Sequence, residues 1–254
     1  MSQASAKFQD LGRRVASALV LLLLAGFAIW SGGIVLKLFV GLLAGAAAWE
    51  LARMCGSPQP LVVGGLTFAA VISASLVTWE MRAPFILAAV GVSYGLVNEN
   101  KKLFVVSHVL IAAGALAFLL VATTKGLNWL LWMIGVVVLT DIAGYFAGKL
   151  FGGPKFWPSL SPNKTWSGTA AGWVAAAIFG ALMLGPLNAA ASLILVSGLM
   201  SFASQLGDIF QSMMKRRSGI KDSSNLIPGH GGVWDRFDGL LAAALVFWLL
   251  FRVF

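Results

Sequence analysis

Apolar runs separated by short polar or Gly/Pro breaks recur along this chain at close to bilayer-crossing length. They are Val15–Trp30, Ile34–Met54, Leu61–Trp79, Ala83–Val97, Leu103–Val121, Trp129–Leu150, Trp166–Leu184, Leu187–Met213 and Leu240–Phe254. The pattern predicts about nine membrane-spanning helices, with ends uncertain by a few residues. The fourth run is short, as expected of a tilted or re-entrant segment. The eighth is long and turns polar in its second half. No even series of amphipathic strands is visible, and lipid offers unpaired backbone groups no water. The predicted fold is therefore all-α, a polytopic membrane helix bundle rather than a barrel.

Composition sharpens this picture. Of 254 residues 59% are hydrophobic and 11% charged, against about 25% charged in soluble domains. A soluble core cannot hide that much apolar surface, so the bilayer is the expected solvent. Lys7, Arg13 and Arg14 precede the first run in the manner of a signal peptide, but no convincing small-residue cleavage site follows. The run reads as a retained first helix. The single cysteine, Cys55, excludes an internal disulfide framework and reads as a small buried hydrophobe.

The formal net charge of +9 is carried by the connecting segments. With a cytoplasmic N-terminus and alternating spans, one face receives Lys7, Arg13, Arg14, Arg53, Lys101, Lys102, Lys149, Lys155, Lys164, Lys215, Arg216, Arg217, Lys221 and Arg236. The other keeps Lys37, Arg82, Lys125 and Arg252. This bias predicts a multi-pass protein of the inner, cytoplasmic membrane, with an odd number of spans and its polar motifs facing the cytoplasm. Basic loops suit anionic headgroups and polyphosphates. Nucleic acid is not an expected partner, because no soluble basic domain exists to carry it.

Candidate chemistry is unevenly spread. Residues 1–125 read as bland scaffold helices or a dimerisation surface, which allows a homodimer. Residues 126–254 hold nearly all the intramembrane polar groups and read as the catalytic region. Asp141 and Tyr145 lie one turn apart on a shared helix face, and Gly144 and Gly148 form a small-xxx-small pair that admits a neighbouring helix. Asp141 reads equally as a functional group or as a helix fastener paired with a lysine. After Phe151-Gly152-Gly153-Pro154-Lys155, Ser161 or Thr165 is placed to cap the seventh helix, where Lys155 and Lys164 would flank an anion; a solvated loop with an ordinary cap is the plainer reading.

Ser201, Gln205, Asp208 and Ser212 follow i, i+4, i+7, i+11 spacing and share one face of the eighth helix. Interhelical hydrogen bonding explains the serines well and Asp208 poorly. Last comes the densest polar stretch: Lys215-Arg216-Arg217, Lys221-Asp222, Pro228-Gly229-His230-Gly231-Gly232 and Asp235-Arg236-Phe237-Asp238. Its glycines predict a loop. The aspartates at the start of the last helix suit the helix dipole, yet Asp208 and Asp235 from separate helices would also form a hard oxygen site for Mg²⁺. His108, in an apolar span, reads as a satisfied or interfacial histidine; His230 reads as a phosphate donor or loop organiser.

In this order and spacing, Ser212, Lys215-Arg216, Lys221-Asp222, Pro228, His230-Gly231-Gly232 and Asp235-Arg236-x-Asp238 resemble the signature of the phosphatidate cytidylyltransferases, or CDP-diacylglycerol synthases. Asp141 with Gly144-Tyr145 and Gly148, Ser161 to Trp166, and Leu206-Gly207-Asp208 resemble the same family. Ser167, where many members have Glu, and Ile142-Ala143 depart from it. The resemblance covers the second half well and the first only as hydrophobic spans.

The resemblance implies that CTP and phosphatidate give CDP-diacylglycerol and pyrophosphate. It implies Mg²⁺ on Asp208 and Asp235, with room for a second cation. Lys164, Lys215, Arg216, Lys221 and Arg236 would bind phosphates. Ser212, Asp222, His230 and Asp238 would order the loop or contact the nucleotide, and Asp141 would lie in the substrate site. A CTP-dependent lipid kinase is the related alternative. A transporter with Asp141 and Asp208 on an ion path is a different class, disfavoured by the inert first half. A purely structural membrane protein leaves the segment from Lys215 to Asp238 unexplained.

Overall fold

The computed structural model describes the backbone of residues 3–253 and the side chains of residues 12–251, which leaves the side chains of Lys7 and Arg252 outside the described residues. Among these, the helices are α1 (Gln3–Ser31), α2 (Gly33–Met54), α3 (Pro60–Leu76), α4 (Trp79–Gly95), α5 (Lys101–Thr124), α6 (Leu127–Phe151), α7 (Trp166–Leu182), α8 (Ser192–Arg217) and α9 (Trp234–Val253). Each predicted span falls on one of them, so the all-α bundle holds. By length and composition α1, α2, α5, α6 and α8 are sufficient to cross a membrane, and the protein is a multi-pass membrane protein. The helices α3, α4 and α7 have 17 residues each, the short end of the spanning range.

One element departs from expectation. The segment between α6 and α7 forms an antiparallel hairpin, β1 (Lys155–Trp157) and β2 (Ser161–Thr165). Ser161 lies in β2 and caps nothing. Thr165 is the N-cap of α7, its hydroxyl accepting from the Gly168 amide at 3.2 Å. The hairpin is too short and polar to leave a period-two hydrophobic signal.

The described residues divide into two compact units, 1–112 with 218–237 and 113–217 with 238–254. In the first, α2 and α3 approach backbone to backbone: a Cβ on Gly45 would stand 2.9 Å from the Gly64 carbonyl oxygen. His108 is fully buried, with its Nε2 2.7 Å from Thr67 Oγ1, a core position rather than an interfacial one. Cys55 is buried at the end of α2; burial, then the charge of Glu99, pushes its thiol up to about 12. It is an inert packing residue, as expected. The apolar side chains of α1, including Leu22, Leu23, Phe27 and Trp30, are exposed, as lipid-facing residues are.

In the second unit α6, α7 and α8 pack through small residues. A Cβ on Gly168 would stand 2.5 Å from the Gly144 carbonyl oxygen, and one on Gly148 would stand 2.9 Å from Thr165 Oγ1. The small-xxx-small face of α6 thus receives the start of α7. Gly207 of α8 meets the Asp238 carbonyl oxygen of α9, where a Cβ would stand 2.7 Å away. Far from the polar residues, Trp129, Trp132, Phe247 and Phe251 form an aromatic cluster between α6 and α9, with the Phe247 and Phe251 centroids 4.3 Å apart.

Candidate functional site

In the first unit the glycine loop after α8 has a defined shape. Ile227-Pro228-Gly229-His230 is a turn: the His230 amide donates to the Ile227 carbonyl at 2.9 Å, and Gly229 has φ +76°. Proline second and a left-handed glycine third are what a type II turn requires. The Ile227 amide then donates to the Gly231 carbonyl at 2.8 Å, closing the loop on itself. From α9 the Arg236 guanidinium folds back, donating to the His230 carbonyl through Nε at 2.9 Å and Nη2 at 2.6 Å. The His230 ring reaches α1, with Nδ1 2.8 Å from Ser17 Oγ.

Asp235 closes the same loop from below. Its Oδ2 accepts from the Ser223 amide at 2.8 Å, the Ser223 hydroxyl at 2.8 Å and the Gly232 amide at 2.9 Å. Three donors on one oxygen fix the rotamer of this carboxylate. Lys221 and Asp222 are exposed at the loop's start.

Sequence reasoning missed the residue around which this loop is organised. Glu50, near the end of α2, is completely buried. Its Oε1 accepts from Ser224 Oγ at 2.6 Å and the Val233 amide at 2.8 Å; its Oε2 accepts from Ser223 Oγ at 3.0 Å and the Trp234 amide at 2.8 Å. The amides of Val233 and Trp234 lie at the start of α9, where helix N–H groups need outside acceptors. Gly232 must be glycine here, since a Cβ would stand 2.5 Å from Glu50 Oε1. A signal was present: a glutamate inside a largely apolar span, the sole acidic residue of α2.

In the second unit a cavity of about 470 Å³ opens between α6, β2, α7 and α8. Asp141, Tyr145 and Lys149 line it from α6, so the helix face shared by Asp141 and Tyr145 is the one turned to the cavity. Lys164 enters from β2 and forms an ion pair with Asp208 of α8, while donating to the Gln205 carbonyl at 3.4 Å. The predicted polar stripe of α8 divides by depth. Ser201 accepts from Thr140 Oγ1 at 2.8 Å, and the Gln205 side chain is held by Trp173 and the Thr169 carbonyl. Those contacts fasten helices. Asp208, with its side chain 42% exposed, instead pairs with Lys164.

Three carboxylates of this unit are within electrostatic reach of Lys164. Asp208 acts electrostatically on both Asp141 and Asp238, and Lys164 acts on all three. Lys215 adds a second positive charge near Asp238. Asp238 Oδ1 also accepts from the Gly239 amide at 2.8 Å. Lys215 and Arg216 occupy the last turn of α8, where cations meet the negative end of the helix dipole, and Ser212 lies half-buried one turn earlier. No group of three or more His, Cys, Asp or Glu is gathered as a metal cage among the described residues.

A protein-family model described as "Cytidylyltransferase family" matches residues 12–254. A protein of Pseudomonas aeruginosa named phosphatidate cytidylyltransferase is 34% identical over 93% of this chain and 95% of its own length. One of Staphylococcus saprophyticus with the same name is 31% identical over 90% and 94%. The like-named protein of Brucella suis is 48% identical over 132 residues, and the matched stretch spans about half of its length, 48%. With a family model covering nearly the whole chain and a relative matched end to end, the chain belongs to the cytidylyltransferase family.

Proposed function

We propose that this cytidylyltransferase-family enzyme converts CTP and phosphatidate to CDP-diacylglycerol and pyrophosphate, a step of phospholipid biosynthesis. An oxygen of the phosphatidate phosphate forms a bond to the α-phosphorus of CTP. The bond from that phosphorus to the β-phosphate oxygen breaks, and pyrophosphate leaves with the electron pair. The nucleophile is already an oxyanion, so the chain needs no strong general base. The observation that carries this reading is the cavity lined by Asp141, Lys149 and Lys164, with Lys164 also paired to Asp208, in a chain whose relatives bear this name.

Two polyanions must meet in this reaction, and the chain's residues answer that requirement. Lys164, Lys215, Arg216, Lys221 and Arg236 supply positive charge for the phosphates. His230 and Asp222 shape the loop that presents them. Asp141 and Asp238 tune the field around Asp208. In this reading the acyl chains reach the site from lipid and CTP from the cytoplasm, and the protein lies in the inner membrane with its polar loops inward, as the lysine and arginine bias supports. Homodimer formation through the N-terminal helices belongs to the same reading; the mass of the detergent-solubilised protein tests it.

Mg²⁺ fits the donor set. Asp208 already holds a cationic group, the Lys164 ammonium. Mg²⁺ takes hard oxygen ligands and commonly one or two carboxylates plus substrate phosphates, so it needs no three-residue cage. Asp208 and Asp235 are assigned to it by the motif. When bound, Mg²⁺ neutralises phosphate charge and aligns the reacting groups.

The test is purified protein in detergent with phosphatidate, Mg²⁺ and doubly labelled CTP. Cytidine label in the lipid with release of pyrophosphate is expected. Transfer of the γ-phosphate label instead would make the protein a lipid kinase.

A further inference from the structure

We infer that Glu50 is a positioning residue for the reaction: its buried carboxylate is the mould on which the loop from Lys221 to Trp234 takes its shape. The inference rests on the activity proposed above for its kinetic arm and on geometry alone for its structural arm. No motif residue does what Glu50 does. Its two oxygens each accept one serine hydroxyl and one backbone amide, and those four donors come from both ends of the loop. Ser223 and Ser224 stand just after Lys221-Asp222; Val233 and Trp234 stand just before Asp235. One side chain thereby brings the two stems of the loop together.

The link to Asp235 is direct. The Ser223 hydroxyl lies 3.0 Å from Glu50 Oε2 and 2.8 Å from Asp235 Oδ2, and its amide also donates to Asp235. A hydroxyl carries one hydrogen, so it serves one carboxylate at a time, and the Ser223 amide holds Asp235 while the hydroxyl serves Glu50. Glu50 therefore sets Ser223, and Ser223 sets Asp235. A buried carboxylate without donors would be costly, so the loop is bound to Glu50 as firmly as Glu50 depends on the loop. Packing does not explain the choice of residue: an apolar side chain at position 50 would fill the same space and leave the amides of Val233 and Trp234 without acceptors.

Glu50→Gln tests this. Glutamine keeps one accepting oxygen and turns an NH₂ toward a hydroxyl and an amide, which splits the pairing at one oxygen. The expected result is a fall in kcat/KM of about 10- to 100-fold, the usual cost of losing a group that orients an essential ligand. Hydrogen exchange at the amides of Val233 and Trp234 should rise by about tenfold or more, while the amides of α2 and α3 around Gly45 and Gly64 stay protected. Glu50→Asp, which restores the charge on a shorter arm, should recover part of both losses.

A Glu50→Gln protein with wild-type turnover overturns the inference. So does lost turnover with unchanged loop protection, or exchange that rises equally through α2 and α3, the mark of a general packing role. If Glu50→Gln does not accumulate, Ser224→Ala removes one donor and leaves the carboxylate intact. Its expected cost is about three- to tenfold in kcat/KM with local loosening at residues 223–226, one hydrogen bond's worth; no change in either overturns the inference. Wild-type protein inert toward CTP and phosphatidate would defeat the proposed activity, and the exchange comparison would still decide the hold of Glu50 on the loop.

Discussion

Lys164 of β2, which lines the cavity, and Asp208 of α8 form an ion pair, with side chains 25% and 42% exposed. Partly exposed pairs contribute about 0–1 kcal/mol to stability. The pair is therefore a poor fastener, and in the proposed reaction the two charges would exchange it for phosphates and a cation.

Asp208→Asn should reduce turnover by about 100-fold or more, in the range found when a preorganised charge is removed from a reacting centre. The protein should still insert and keep its helix content, since the lost pair stabilises it little. Cytidine incorporation and circular dichroism on the same sample check both halves; wild-type activity would remove Asp208 from the site.

Lys221→Ala should raise the KM for CTP or phosphatidate by about tenfold, the value of one charge-assisted contact to phosphate. Lys221 is exposed, so folding should be unaffected. Steady-state kinetics with each substrate varied in turn shows which one it serves, and unchanged kinetics would strike it from the phosphate-binding residues.

Chelation should stop the reaction and added Mg²⁺ should restore it. A titration of rate against free Mg²⁺ after thorough EDTA treatment measures this. Persistent activity in chelator would contradict the assignment of Mg²⁺ to Asp208 and Asp235.

Gly168→Ala should lower the thermal midpoint and the activity together. The added methyl would stand 2.5 Å from the Gly144 carbonyl oxygen, so α6 and α7 must separate at the cavity wall, at a cost of about 1–3 kcal/mol. Gly65→Ala, where nothing lies within 4 Å, is the control and should be neutral or slightly stabilising. Equal behaviour of the two variants would refute the close-packing account.

The helices were legible because lipid demands them. Runs such as Leu103–Val121 have no other stable state in a bilayer, and α5 (Lys101–Thr124) encloses that run. The face shared by Asp141 and Tyr145 and the glycines beneath it were also legible, since a helix fixes such spacing in advance. So was the loop at Pro228-Gly229, though not its type II turn. The hairpin 155–165 was not, because a strand of four polar residues and a proline resembles a loop. Glu50 escaped because its meaning lies in partners more than 170 positions away, Ser223 being 173 removed. Local pattern carries no trace of such a pairing. The first half looked inert because Glu50 was passed over among its apolar neighbours.

The same long separation bears on how the protein is made. Glu50 leaves the ribosome 173 residues ahead of Ser223, roughly 10–35 s at ordinary rates of synthesis. Throughout that interval a carboxylate destined for burial has none of these donors. All four come from residues 223–234, so its hydrogen bonds form only after that late segment has been made.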